Sequence, residues 1–156
     1  RNLALDLRPS MLDELGLVPA LRWYVGRQAE RAGWTLQFLA DQGMPRPSPE
    51  VEISCFRLTQ EALTNVARHA KATAVEVRLT MGRRKLDLIV RDNGIGFDPN
   101  LIRTGARAGT SVGLSGMEER VRLAGGRMVI QSAPTMGTEI RATFPTSSGT
   151  AEAEYE

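Results

Sequence analysis

One cysteine and one histidine are spread over 156 residues, and that scarcity removes whole classes of chemistry. Cys55 has no partner in the chain for a disulfide, and its place on the apolar side of a helical pattern makes it a buried thiol rather than a reactive one. His69, with no second histidine and no cysteine pair, supports neither a zinc site nor a Ser-His-Asp triad. No apolar run approaches the roughly 18 residues that mark a membrane span. Asp6 and Arg8 interrupt the leucines near the N-terminus, where a signal peptide would be continuous. Neither sign of charge is in excess: 20 Lys and Arg stand against 18 Asp and Glu, a net charge of +2. Without a long basic run, a small anionic ligand suits the chain at least as well as nucleic acid. No Gly-Lys-Ser or Gly-Lys-Thr occurs, so a Walker loop is absent. The expectation is a cytoplasmic segment with no nucleic acid partner and no membrane contact of its own. It opens at Arg1 within an amphipathic pattern, and the expectation is a piece of a longer protein, in which any membrane anchor lies outside this segment.

What is present is patterned. Leu3, Leu5 and Leu7 stop at Pro9, so residues 1–10 read as the end of a helix and a linker. Apolar residues from Leu12 to Ala29 recur at helical steps, interrupted at Gly16 and Pro19 and stopped at Gly33. Residues 34–40 alternate as a strand, and a loop with three prolines leads to a helix starting at Pro49. Cys55, Leu58, Ala62, Val66 and Ala70 form its apolar stripe, widened by Phe56, Leu63 and Ala67. Its polar side carries Arg57, Glu61, Thr64, Asn65, Arg68 and His69. Two alternating runs, 75–80 and 86–91, form a hairpin.

Residues 98–112, rich in Gly, Thr, Arg and Ser, read as a long loop or lid. Leu114, Met117, Val121 and Leu123 or Ala124 make another helix, ended by Gly125 and Gly126. Strands 127–132 and 138–144 follow, and residues 146–156 read as a disordered tail. This order predicts one α/β domain over 11–145: a two-layer sandwich with a mixed, mostly antiparallel sheet and helices on one face.

Three stretches carry candidate chemistry. Glu61 and Asn65, four residues apart, share one helix face; they form either an ordinary solvated face or a place where an amide oxygen holds Mg²⁺ beside a carboxylate. Asp92-Asn93-Gly94-Ile95-Gly96 follows a strand. It is either a turn or a site where a carboxylate accepts a hydrogen bond from an exocyclic amino group while Gly94 and Gly96 admit a ring. Its Gly-x-Gly lacks the third glycine of a dinucleotide fingerprint, since Pro99 stands there. Gly113-Leu114-Ser115-Gly116 at a helix start either caps a flexible loop or offers N–H groups to phosphate, with Arg103 and Arg107 of the lid as possible helpers. His69 alone is a nucleophile, a metal ligand, a phosphate contact or a structural residue.

Taken in order, the stretches Gln60 to Ala70, Asp92 to Phe97 and Gly113 to Arg120 resemble the N, G1 and G2 boxes of the ATP-binding catalytic domain of two-component sensor histidine kinases. That domain belongs to the wider gyrase, Hsp90 and MutL group. Gly137-Thr138 resembles the closing motif, and Leu7-Arg8-Pro9 with Leu15-Gly16-Leu17 and Ala20-Leu21 resembles the NarL-partnered subclass of NarX, DesK and LiaS type. The resemblance implies a Bergerat ATP-binding fold and a histidine kinase that uses ATP and Mg²⁺. Asp92 and Thr138 would hold adenine, Asn65 the magnesium, and Glu61 would act near the reaction. His69, Lys71, Gly94, Gly96, Gly113, Leu114 and Gly116 would complete the nucleotide site.

The resemblance further implies a dimerisation and phosphoacceptor domain, a homodimeric full-length protein and a NarL-type response regulator as partners, with the segment alone monomeric. Ser111 departs from the glycine common in the subclass. No His-Asp or His-Glu pair occurs, so the phosphoacceptor histidine is expected outside this chain, and the segment alone is expected to bind ATP without phosphorylating itself.

Overall fold

The protein is described here by a computed structural model covering residues 10–100 and 108–146, with side chains in the second stretch from Gly113 onward. The expected linker before Ser10, Arg103 and Arg107 of the lid, the side chain of Ser111 and the tail after Thr146 lie outside the described residues.

The first apolar pattern folds as two helices, α1 (Ser10–Leu15) and α2 (Leu17–Ala32), parted at Gly16. Pro19 falls in the first turn of α2, where a missing N–H breaks no helical bond. Gly33 ends α2 by donating its N–H to Ala29 O at 2.8 Å. A buried carboxylate fastens the α1–α2 junction. Glu52 Oε2 accepts the Leu17 N–H at 3.2 Å, and Glu52 Oε1 pairs with Arg46 Nη2 at 2.8 Å. The same Arg46 nitrogen donates to Leu12 O at 3.2 Å. Cation at the end of α1 and anion at the start of α2 each match the local helix dipole.

Strand β1 (Thr35–Ala40) leads to α3 (Pro49–Asn65), whose N-cap Ser48 accepts the Val51 N–H and whose first residue is Pro49, a residue suited to that position. After Asn65 the helix widens into a π-helical turn, Val66–Ala70. Strands β2 (Ala74–Met81) and β3 (Lys85–Asp92) form the expected hairpin, followed by α4 (Ala108–Leu123), β4 (Arg127–Ser132) and β5 (Thr138–Pro145). The sheet runs β1-β2-β3-β5-β4; β1 lies parallel to β2 and the other pairs are antiparallel.

The inner face carries Val75, Val77, Leu79, Leu86, Leu88, Val90, Ile140, Ala142 and Phe144. These pack in one core with Leu21, Val25, Cys55, Leu58, Ala62, Met117 and Val121 of the helices. The fold is therefore the expected two-layer α/β sandwich with a mixed, mostly antiparallel sheet. Cys55 is fully buried, and burial pushes its thiol well above the ordinary range, as an inert core residue requires.

The boundaries differ from the sequence reading at several points. The helix expected over 51–70 is not one α-helix but changes to π geometry at Val66, and Ala67 is exposed rather than part of the stripe. The stretch 98–112 is not all loop, because α4 begins at Ala108. Its glycines argue against helix, but the burial of Leu114, Met117 and Val121 against the core overrides that preference. At the far end of α4 the inward position is taken by half-buried Ala124, while Leu123 is 79% exposed. Thr146 is buried, and its N–H donates to Arg84 O at 3.0 Å.

Candidate functional site

A cleft with about 600 Å³ of empty space, its open mouth included, lies between the end of α3 and the ends of β3 and β5. Asn65 and His69 stand on its helix side, Asp92 and Thr138 on its sheet side, and Ala62, Val66, Val90, Leu114 and Ile140 supply apolar wall. Such a lining, mostly apolar with a few polar groups facing inward, is the usual character of a small-molecule site.

The sheet register brings the polar groups together. Asp92 on β3 pairs with Thr138 on β5, and Thr138 pairs with Ser132 on β4. Side chains alternate along a strand, so these three share the inner face with Val90, Ile140 and Ile130. Asp92 is only 8% exposed. Its Oδ1 accepts the Gly94 N–H at 2.7 Å, and the Thr138 N–H donates to the same carboxylate. Burial raises the carboxyl pKa above its ordinary value, and the two backbone N–H groups partly oppose that rise. Asp92 is thus an acceptor held in place by backbone, with capacity left for a donor that enters the cleft.

The loop after Asp92 is fastened on both sides. Asn93 Oδ1 accepts the Thr73 and Ala74 N–H groups at 2.9 Å each. Ile95 donates its N–H to Ala70 O at 2.7 Å, and Phe97 donates its own to Ser132 Oγ at 2.9 Å. Two glycines allow this fit. A side chain on Gly94 would meet Ala70 O at 2.2 Å, and one on Gly96 would meet Ala133 O at 2.1 Å, with φ of +66° there as well. Gly96 lines the cleft, whereas Gly94 acts through its N–H and its close approach to the π-helical turn.

Of the residues singled out in the sequence, Asn65, His69, Asp92, Gly96, Leu114 and Thr138 line this cleft, and Gly94 supports it. Glu61 does not line it. Half-buried one turn before Asn65, it places Oε2 3.0 Å from where a Gly113 side chain would begin, so Gly113 lets α4 come close beside this carboxylate.

Gly113 is the sixth residue of α4 rather than its start. Its N–H therefore belongs to the helix ladder and is not one of the first-turn groups free for phosphate. Gly116 is exposed with open space around it, and Lys71 is exposed, in a left-handed conformation at φ 54°, outside the cleft lining. Periodicity missed Phe97 and Ser132. The signal for Ser132 was its six-residue spacing from Thr138 across a tight hairpin, which becomes informative only once the register is known.

Residues 50–148 match the family described as histidine kinase-, DNA gyrase B-, and HSP90-like ATPase. Among curated relatives, the signal transduction histidine-protein kinase/phosphatase DegS of Brevibacillus brevis is 40% identical over 145 residues, covering 93% of this chain and 36% of that protein. The oxygen sensor histidine kinase NreB of Staphylococcus carnosus is 35% identical over 145 residues, covering 93% and 41%. The chain thus spans well under half the length of these relatives. The histidine kinase domain from the Erythrobacter litoralis EL346 blue-light activated histidine kinase superposes with a TM-score of 0.69 at 20% identity. That match covers 86% of this chain and 63% of the other, a likeness of fold. Among the described residues no helix is long and apolar enough to cross a membrane.

Proposed function

The chain belongs to the histidine kinase-, DNA gyrase B- and HSP90-like ATPase family, and on that premise we propose that it is the ATP-binding catalytic domain of a sensor histidine kinase. The cleft between α3 and the β3–β5 ends is its nucleotide site. The observation that carries this reading is Asp92: a buried carboxylate, held by two N–H groups and open to a donor, at the edge of an apolar slot. An adenine amino group is the donor it suits, and the slot walls suit the ring.

Asn65, at the cleft on the helix side, offers a hard amide oxygen for Mg²⁺. Magnesium takes few protein ligands where phosphates and water supply the others. The metal when bound would neutralise phosphate charge. Glu61, one turn before Asn65, would orient the attacking group, and His69, which is in the cleft lining, would serve as a phosphate or ribose contact. Phosphoryl transfer depends mostly on positioning and charge neutralisation, so a site with few reactive groups suffices.

The acceptor is a histidine on a dimerisation helix outside this segment. The full-length protein works as a homodimer that passes the phosphoryl group to a NarL-type response regulator. Titrating the segment with ATP, with and without Mg²⁺, tests the reading. Binding with no stable label on His69 is expected, and Asn65→Ala should abolish the magnesium-dependent part. Unchanged magnesium dependence in that variant would remove Asn65 from the metal site, and absence of ATP binding by the parent segment would overturn the whole reading.

A further inference from the structure

Ser132 Oγ sits among three polar neighbours, each at 2.9 Å: the Phe97 N–H, the Gly137 carbonyl and Thr138 Oγ1. A serine hydroxyl has one proton to give and two lone pairs to receive with. Phe97 N–H can only donate and Gly137 O can only accept, so one assignment satisfies all three contacts. Ser132 gives its proton to Gly137 O, receives from Phe97 N–H, and receives the proton of Thr138. The Thr138 hydroxyl is then committed as a donor to Ser132 and presents only lone pairs elsewhere. Its backbone N–H is already spent on Asp92, as is that of Gly94.

Asp92 and Thr138 therefore meet the cleft with acceptors and no free donor. We propose that Ser132, which lies outside the cleft lining, is a positioning residue that fixes the direction of the Thr138 proton. By doing so it makes the site select a base bearing an exocyclic amino group over one bearing a carbonyl at the same place. This rests on the cleft being the nucleotide site. An amino group brings two protons, one for Asp92 and one for Thr138 Oγ1, directly or through water. A carbonyl oxygen brings only lone pairs against lone pairs, and a buried acceptor without a donor carries a desolvation cost.

The test is equilibrium titration of the segment with ATP and with inosine triphosphate, which replaces the amino group by a carbonyl and adds a proton on N1. That proton is the same in every form, so the readout is the change in the ratio of the two affinities between forms. The parent, Ser132→Ala, Ser132→Thr and Thr138→Val forms are compared, with thermal unfolding as the check on folding. In Ser132→Ala the Thr138 proton is released and can serve a carbonyl. ATP affinity should fall about three- to tenfold, the size of one net hydrogen bond, while inosine triphosphate affinity holds or rises. Ser132→Thr keeps the hydroxyl and should restore the parent ratio of the two affinities.

If both affinities fall together in Ser132→Ala, or neither changes, Ser132 is only a structural tie for Phe97 and the proposal fails. Should Ser132→Ala not fold, Thr138→Val decides. Loss for ATP alone supports an acceptor-only threonine, whereas loss for inosine triphosphate, or no change for either, overturns it. A parent segment that binds no ATP would instead overturn the nucleotide reading itself.

Discussion

Two neighbouring rows of the sheet carry polar side chains on opposite faces, and they are held in opposite ways. On the outer face Gln37, Glu76, Arg91, Glu139 and Gln131 cross all five strands in register. Arg91 reaches Glu139 at 2.6 Å and Glu76 at 3.3 Å, and Glu76 also meets Arg78 at 2.6 Å. These long side chains pair with one another in contact with solvent, where an ion pair contributes about 0–1 kcal/mol. On the inner face the adjoining row is Val75, Asp92, Thr138 and Ser132. Here short side chains are held mainly by backbone N–H and C=O groups, and among the described residues the one charge has no cation beside it. A ladder of opposite charges explains itself. A buried carboxylate whose partners among the described residues are two N–H groups does not, and its cost points to a ligand.

The largest effect should come from closing the inner row. Gly96→Val forces a branched side chain against Ala133 O at a φ of +66°, and about 3 kcal/mol or more of stability should be lost together with nucleotide binding. Chemical denaturation and ATP titration measure both; a loss below about 1 kcal/mol would mean that the loop is not held as tightly as the geometry shows.

Asp92→Asn should separate stability from binding. The folded pKa of Asp92 is raised above its ordinary 3.8, so the ionised form is disfavoured in the fold. Replacing it should leave stability equal or higher at neutral pH, and the difference should vanish as pH falls below that ordinary value. Binding has the opposite sign, because it needs the ionised carboxylate, so parent ATP affinity should decline as pH falls through the raised pKa. A variant that is less stable than the parent at neutral pH would contradict a carboxylate whose ionised form is disfavoured by burial.

The smallest effect belongs to the outer row. Arg91→Ala should cost about 0–1 kcal/mol, less in high salt, and leave ATP affinity unchanged. A change in affinity there would mean that the two faces are coupled.

Much of this was legible in the sequence. Alternation located β2, β3 and β5, and the stripe through Cys55, Leu58 and Ala62 located α3, because both have one face on the core. The order of the Asn65, Asp92 and Gly113 stretches pointed to one nucleotide site, and the register gathers Asp92 and Thr138 with Asn65 around one cleft. The early start of α4 was hidden, since Gly109, Thr110, Ser111 and Gly113 have low helix propensity and only tertiary burial of Leu114 and Met117 offsets it. The π-helical turn after Asn65 was hidden as well, because an apolar stripe does not reveal a change in helix width. Ser132 was invisible for a different reason: a one-residue slip of β4 would have placed it on the outer face.

The most direct measurement is calorimetric titration of ATP into the parent segment and into Asp92→Asn at neutral pH, with unfolding curves to show that both are folded. Saturable binding to the parent and a loss of at least about tenfold in the variant, the size of a hydrogen bond to a charged group, are predicted. Equal affinity in the two folded proteins would contradict the placement of the base against Asp92.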